Sequence, residues 1–172
     1  MIVLLVVFCA LIIVYDLVFR RVPNSLLLIA LLVHIGYLIV NGAGYLDVDV
    51  SQSLIGFAIA LFIFVPLYAL RLMGAGDVKF LMVLGALFGW KGLLVVWVIG
   101  SLIAGFHAVV AYSSNRWLMY MPAGMYEAMQ RIGDSNLYQR MLSVRQGRKG
   151  TPYAAYLAVG VLFYLAVTWS GQ

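Results

Sequence analysis

The stretch "RLMGAGDVKF", residues 71–80, lies between two long apolar runs and carries Asp77, Lys79 and two glycines where a membrane helix would begin. An ionisable side chain beside hydrocarbon is expensive, and such residues are usually functional. The surroundings of Asp77 depend on how the apolar runs on either side of it cross the membrane.

The composition identifies lipid as the main solvent of the chain. The 172 residues are 65% hydrophobic and 10% charged, whereas soluble domains have about 45–50% apolar and about 25% charged residues. The mean hydropathy is +1.05. One core cannot bury so much apolar surface, so we predict an all-α integral membrane protein, with residues 1–172 forming one polytopic domain. The first apolar run has no basic n-region and no A-x-A-like site, and we expect it to be a span.

Six apolar segments predict a bundle of six transmembrane helices. They are residues 2–19, 25–40, 53–70, 78–90, 93–112 and 152–169. A helix needs about 17–25 residues to cross the hydrocarbon, so the fourth segment is short. We expect it either to begin in a protein-lined cavity or to lie in a thinned bilayer. Gly89 and a turn at residues 90–92 are predicted to separate it from the fifth segment.

The basic residues predict the orientation of the bundle. If the six spans alternate, ten of the 11 Lys and Arg residues fall on one side and only Lys91 falls on the other. By the positive-inside rule the ten face the cytoplasm, which makes both termini extracytoplasmic. Orientation and attraction to anionic lipids then explain the net charge of +5, so we expect membrane lipids and no nucleic acid as partners.

The long polar segment between the fifth and sixth spans, residues 113–151, is predicted to be a cytoplasmic loop. It holds five of the eight methionines, and its apolar residues recur at helical spacing. The pattern predicts basic amphipathic helices lying on the membrane. A flexible Met-rich surface that receives a partner helix is the alternative.

Two carboxylates are predicted to lie at the same depth. Asp16 lies about one helical turn inside the cytoplasmic end of the first span, because three residues separate it from Arg20. Asp77 opens the fourth span, which runs away from the same boundary. Two carboxylates within a few ångströms can share one proton, so that one draws a proton from water while the other protonates a scissile carbonyl. This pair predicts aspartic-protease chemistry, with no metal and no cofactor.

Three neighbours of Asp77 have two interpretations each. Gly74 and Gly76 lack Cβ atoms and permit positive φ, which gives room for an extended peptide or for close helix packing. Lys79 is either an anchor at the membrane boundary or a group that tunes the field of the site or holds a substrate carbonyl.

The competing catalytic chemistries lack parts. His34 and His107 have no H-x-x-x-H partner, so we expect them to pack or to form hydrogen bonds between helices. Ser53 and Ser101 lack the G-x-S-x-G context of a nucleophilic serine.

Three segments resemble type IV prepilin peptidases, which are membrane aspartic proteases. "GAGDVKF", residues 74–80, resembles the G-x-G-D-x-K segment of that family. "DLVFRRVPN", residues 16–24, resembles its first-aspartate motif, in which proline follows seven residues on and is itself followed by Asn or Asp. "TPYAAYLAVG", residues 151–160, resembles a late family segment, with Ala154 where glycine is common. The three segments occur in the family's order and span most of the chain.

The resemblance implies an endopeptidase that cuts the short basic leader from prepilins at the cytoplasmic face of the bacterial inner membrane. The expected substrate is a leader joined to a hydrophobic helix. Asp16 lies close to the beginning of the chain, which resembles the compact form associated with Flp-type (tight-adherence) pili, and we do not expect the N-methylation performed by the long form. The implied catalytic dyad is Asp16 and Asp77, and the implied substrate-binding or site-supporting residues are Gly74, Gly76, Lys79, Pro23 and Asn24.

Three alternatives stay open at this stage. Tyr15 and Asp16 followed by a later G-x-G-D also resemble presenilin-like intramembrane proteases, although there the two aspartate helices are consecutive and here two spans lie between them. A small proton-coupled transporter could use the two aspartates as a relay. A non-catalytic assembly subunit could use them to bind partner helices.

Overall fold

The computed structural model describes residues 2–117 and 151–170, and the regular structure in these ranges is helical. The helices are α1 (Ile2–Phe19), α2 (Asn24–Asn41), α3 (Val50–Ala69), α4 (Ala75–Trp117) and α5 (Tyr153–Ser170), with a 3-10 turn at Tyr45–Asp47. The predicted all-α class is therefore confirmed for the described part of the chain.

The helices of the described ranges fit a multi-pass membrane protein. Four of them, α1 to α4, are long and apolar enough to cross a membrane, while α5 has a shorter apolar stretch, Tyr153–Thr168. The fourth and fifth predicted spans both lie in α4. The six-span topology and the orientation of the termini remain predictions.

Helix α4 is broken at Gly89. This residue has φ 65° and ψ −178°, a conformation that is essentially restricted to glycine. The break separates residues 75–88 from residues 90–117, as predicted for the fourth and fifth apolar segments. The predicted turn at residues 90–92 is wrong, because those residues are helical and Gly89 alone provides the break.

The beginning of α4 also differs from the prediction. The predicted fourth segment began at its first apolar residue, Val78, but the helix starts at Ala75. The first turn of the helix contains Asp77 and is therefore not part of the apolar run. Segment 75–88 is too short to cross about 30 Å of hydrocarbon at 1.5 Å per residue. At its other end α4 continues to Trp117, past the predicted start of the cytoplasmic loop at Ser113. The predicted amphipathic helices and the five loop methionines lie outside the described residues.

Segment 75–88 forms the centre of the bundle. Beyond its first turns nearly all of its side chains are buried, including Phe80, Leu81, Leu84 and Leu87. A helix that is apolar all round is expected to be enclosed by other helices, and here α3 packs along it. Asp77 is thus carried by a helix segment that other helices enclose.

Close backbone approaches fix α4 against α3 and α5. A Cβ atom on Gly56 of α3 would clash with the carbonyl oxygen of Gly85, and a Cβ on Gly85 would clash with that of Gly56. Farther along α4, a Cβ on Gly100 would lie 2.8 Å from Leu157 Cδ2 in α5. Helix α1 packs mainly on α5, and its Phe8 ring meets Phe80 edge-on at a centroid distance of 5.9 Å.

Candidate active site

Asp16 lies in the last turns of α1 and points into the protein. Its side chain is only 5% exposed, although the residues on either side of it, Tyr15 and Leu17, are exposed. Its Oδ2 accepts a hydrogen bond of 2.9 Å from the backbone N–H of Ala155 in α5. A buried carboxylate requires such a donor, because burial removes the hydrogen bonds that water would supply.

Asp77 lies in the first turn of α4, three residues after Gly74. Its carboxylate accepts backbone hydrogen bonds from Gly74 and from Ala154. The first of these is the contact by which a carboxylate at the third helical position caps the beginning of its own helix. A negative charge at this point also interacts favourably with the helix dipole. Asp77 therefore has a structural reason to point back towards the helix start.

The beginning of α5 brings the two carboxylates together. The backbone N–H of Ala154 interacts with both Asp16 and Asp77, and the two carboxyl groups are close enough for their charges to interact. The first N–H groups of a helix have no partner within the helix, so those of Ala154 and Ala155 are available to side-chain acceptors. The chain thereby assembles one pair of carboxylates from α1 and α4 at the end of a third helix.

An open cavity of about 760 Å³ lies over the pair. Apolar and cationic side chains share its lining with the two acids. The lining residues include Asp16, Arg20, Arg21, Asn24, Leu67, Met73, Gly74, Gly76, Asp77, Lys79, Trp97, Ser101 and Tyr153. Of the seven residues predicted for the site, Pro23 is the one not among those that line the cavity; it precedes the first residue of α2.

Lys79 and Asn24 form a pair at the edge of the cavity. Lys79 Nζ donates a hydrogen bond of 3.1 Å to Asn24 Oδ1, and both side chains are exposed. Asn24 is the first residue of α2, so the bond connects the beginning of α2 to the second turn of α4. The two residues were predicted separately as parts of the site, and in the structure they bond to each other.

The two glycines before Asp77 each leave space for a different neighbour. A Cβ on Gly74 would lie 2.9 Å from Asp77 Oδ2, so glycine leaves space for the carboxylate. A Cβ on Gly76 would lie 3.3 Å from Val22 Cβ, in the loop between α1 and α2. The described glycines with positive φ are Gly42 and Gly89, so Gly74 and Gly76 provide space and do not need unusual backbone angles.

Several features of the site were missed by sequence reasoning. Tyr153, the first residue of α5, forms a hydrogen bond of 2.8 Å with Ser101 of α4 through their hydroxyl groups. Little in the sequence indicated this bond. Ser101 had been assessed only as a possible nucleophile, and Tyr153 had no predicted role. Ala154 and Ala155 act through their backbone N–H groups, which leave no trace in side-chain patterns. The apolar segment predicted from residue 152 indicated a helix start there, but it did not indicate the role of these N–H groups.

A second polar cluster lies away from the cavity. The Ser53 hydroxyl donates to the carbonyl oxygen of Ala86 at 2.7 Å, and His34 Nε2 lies 3.0 Å from Ser53 Oγ. Since Ser53 has one proton to donate, His34 Nε2 must carry the proton of its own bond. The cluster joins α2, α3 and α4, which confirms the prediction of an interhelical hydrogen bond for His34. His107 packs beside the ring of Tyr156 at 5.5 Å.

The described residues include no group of three or more His, Cys, Asp and Glu side chains placed to bind a metal ion. The chemistry that the cavity itself offers is proton transfer between two carboxylates, one of which can be ionised while the other is protonated.

Comparison with known protein families shows the family of the chain. The chain matches the type IV leader peptidase family over residues 3–109, which is more than half of its length, and it therefore belongs to that family. The matched range includes Asp16, Asn24, Asp77 and Lys79 and ends before α5. No curated protein and no solved structure is similar enough to count as a match. Membership identifies the chain as a protease of the prepilin leader peptidase type.

Proposed function

We propose that the chain is a membrane aspartic endopeptidase that removes the short basic leader from Flp-type prepilins at the cytoplasmic face of the bacterial inner membrane. The observation that carries the proposal is the pairing of Asp16 and Asp77 at the Ala154 N–H beneath an open cavity. The family supplies the substrate class, and the carboxylate pair supplies a chemistry that can hydrolyse a peptide bond.

In the proposed reaction the pair holds one proton. The ionised carboxylate takes a proton from a water molecule as the water oxygen attacks the scissile carbonyl carbon. The protonated carboxyl group gives its proton to the carbonyl oxygen, which produces a gem-diol. The diol collapses when the amide nitrogen receives a proton from the first carboxyl group and the C–N bond breaks. One diol hydroxyl then returns a proton to the second carboxylate, and the pair again holds one proton.

Backbone N–H groups position the two acids for these transfers. Ala155 holds Asp16 and Gly74 holds Asp77, while Ala154 interacts with both. Donors fixed before substrate binds need no reorganisation during the reaction. The positive end of the α5 dipole also faces the pair, and it favours the single negative charge that the pair carries.

The cavity suits a peptide segment in extended conformation. Met73 and Trp97 provide apolar lining close to the acids, and Arg20, Arg21 and Asn24 line it from the loop between α1 and α2 and the beginning of α2. Under the predicted orientation this loop faces the cytoplasm. The segment around the scissile bond would enter the cavity from that side, with the basic leader towards the cytoplasm and the hydrophobic helix of the substrate among membrane lipids.

A processing assay tests the proposal. The chain is co-expressed with a candidate Flp-type prepilin, and leader removal is followed by gel shift and by mass spectrometry of the new N-terminus. Asp16→Asn and Asp77→Asn should abolish cleavage. Asp47→Asn and Asp49→Asn are matched controls in the exposed region between α2 and α3, and both should cleave like the wild type.

Two results would contradict the proposal. One is cleavage at the wild-type rate by both Asp16→Asn and Asp77→Asn. The other is proton-coupled solute flux in proteoliposomes without processing of any prepilin, which would favour a transporter that uses the same acids as a relay.

A further inference from the structure

The geometry of the carboxylate pair depends on the first turn of α5. The peptide group between Tyr153 and Ala154 carries the N–H that faces both acids, and the next peptide group carries the N–H that binds Asp16. A small rotation or shift of this turn would move both donors together. What fixes the turn therefore affects the relative positions of Asp16 and Asp77.

Tyr153 connects this turn to α4. Its hydroxyl lies 2.8 Å from Ser101 Oγ in a partly buried hydrogen bond between residues 52 positions apart. Tyr153 is also one partner of the peptide bond that contains the Ala154 N–H. Anchoring the ring on α4 thus restrains the backbone unit that faces the two acids.

Packing farther along α5 fixes the lateral position of the helix. The contact between Gly100 and Leu157 and the approach of Gly160 to the Val96 carbonyl oxygen hold α5 laterally. These contacts lie one to two turns beyond Ala154. At the end of the helix where the acids are, the bond between Tyr153 and Ser101 ties the first turn of α5 to α4, and both residues line the cavity.

We propose that Tyr153 and Ser101 are positioning residues of the carboxylate pair, acting through the Ala154 and Ala155 N–H groups and not by contact with the scissile bond. The proposal rests on the peptidase activity proposed above. Catalytic groups have to be held within about 0.5 Å of their productive positions. Loss of the anchor should therefore slow the chemical step without weakening substrate binding.

The test measures kcat and KM for cleavage of a purified prepilin by the full chain in detergent. The variants are Tyr153→Phe, Ser101→Ala, the double variant and Ser101→Thr. Each of the first two should lower kcat about 10-fold or more with KM within about twofold of wild type, since small displacements of catalytic groups are costly. The double variant should be no slower than Tyr153→Phe, because Tyr153→Phe already removes every bond of the Tyr153 hydroxyl, to Ser101 and to Trp97. Ser101→Thr keeps the hydroxyl and should restore most of kcat.

Ser53→Ala is the matched control. It removes a serine that also bonds between helices, to His34 and Ala86, but does not line the cavity. It should lower the thermal midpoint while the folded molecules keep the wild-type kcat. Tyr153→Phe and Ser101→Ala change few atoms, and if one of them does not fold, the other still decides the question.

Three outcomes would overturn the positioning role. They are a wild-type kcat in the folded variants, single effects that multiply in the double variant, and a raised KM with unchanged kcat, which would indicate a contact made equally in ground and transition states. Failure of the proposed function looks different. In that case the wild type does not cleave, or Asp16→Asn cleaves as well as the wild type.

Discussion

The carboxylate of Asp16 accepts a 2.9 Å hydrogen bond from the backbone N–H of Ala155, a residue 139 positions later in the chain. The bond joins the end of the first helix to the beginning of the last described one. Asp77 joins the same place through Ala154. The candidate site is therefore built from three helices. Helices α1 and α4 supply the acids, and the beginning of α5 supplies backbone N–H groups to both.

The hydrogen bond to Asp16 can be removed by Ala155→Pro. Proline lacks the N–H and is tolerated in the first turn of a helix, where that N–H has no partner within the helix. Loss of a donor to a buried acceptor costs about 1–3 kcal/mol. Ala155 is buried, so the proline ring also crowds this turn and should lower the thermal midpoint. Leader cleavage by the folded variant should fall by at least about tenfold, since about 1.4 kcal/mol of transition-state stabilisation is a factor of ten in rate.

Ser51→Pro is the control for this substitution, because Ser51 is an exposed residue in the first turn of α3. It should leave cleavage unchanged. Equal cleavage by Ala155→Pro and the wild type, with the same helix content by circular dichroism, would show that the bond from Ala155 does not matter for activity.

The pair formed by Lys79 and Asn24 predicts a shared phenotype. If Lys79 acts by holding the beginning of α2 at the cavity, Lys79→Met and Asn24→Ala should reduce cleavage to a similar extent, and the double variant should be no worse. A bond between exposed groups contributes little to stability, about 0–1 kcal/mol for a comparable ion pair. The thermal midpoints of these variants should therefore stay close to that of the wild type.

The alternative for Lys79 is direct contact with the substrate. In that case Lys79→Met would lose much more activity than Asn24→Ala, and the two effects would not be equivalent. Lys91→Met is a suitable control, because Lys91 is exposed and lies over the Trp90 ring just beyond the Gly89 break. It should cleave like the wild type.

The sequence predicted the two acids and the helices that carry them because apolar runs and isolated charges leave strong patterns. The depth of Asp16 follows from its distance to Arg20 and that of Asp77 from its place at the start of the fourth span, and both residues line one cavity. The break at Gly89 was also predictable, since a glycine interrupted a long apolar run. These features depend on composition along the chain and do not require knowledge of tertiary contacts.

The remainder of the site could not be predicted because it depends on which backbone groups meet. Any residue other than proline could supply the N–H of Ala154 or Ala155, so no side-chain pattern indicates their role. The bond between Tyr153 and Ser101 joins two common hydroxyl residues 52 positions apart. Lys79 and Asn24 were both predicted for the site, but sequence spacing gave no reason to pair them.

The close crossing of α3 and α4 predicts the last result, a loss of stability from a single methyl group. Gly56→Ala or Gly85→Ala would place a Cβ atom within clashing distance of the opposing carbonyl oxygen, and the contact consists of backbone that cannot rotate away. Overpacking of this kind costs about 1–3 kcal/mol or more. We expect each variant to lower the thermal midpoint in detergent and the yield of folded protein. Gly36→Ala and Gly105→Ala are matched controls, since a Cβ at either position meets nothing within 4 Å. Both should be neutral or raise stability by about 0.5–1 kcal/mol, because alanine is the better helix former. If all four variants unfold at the wild-type temperature, α3 and α4 do not cross at these glycines.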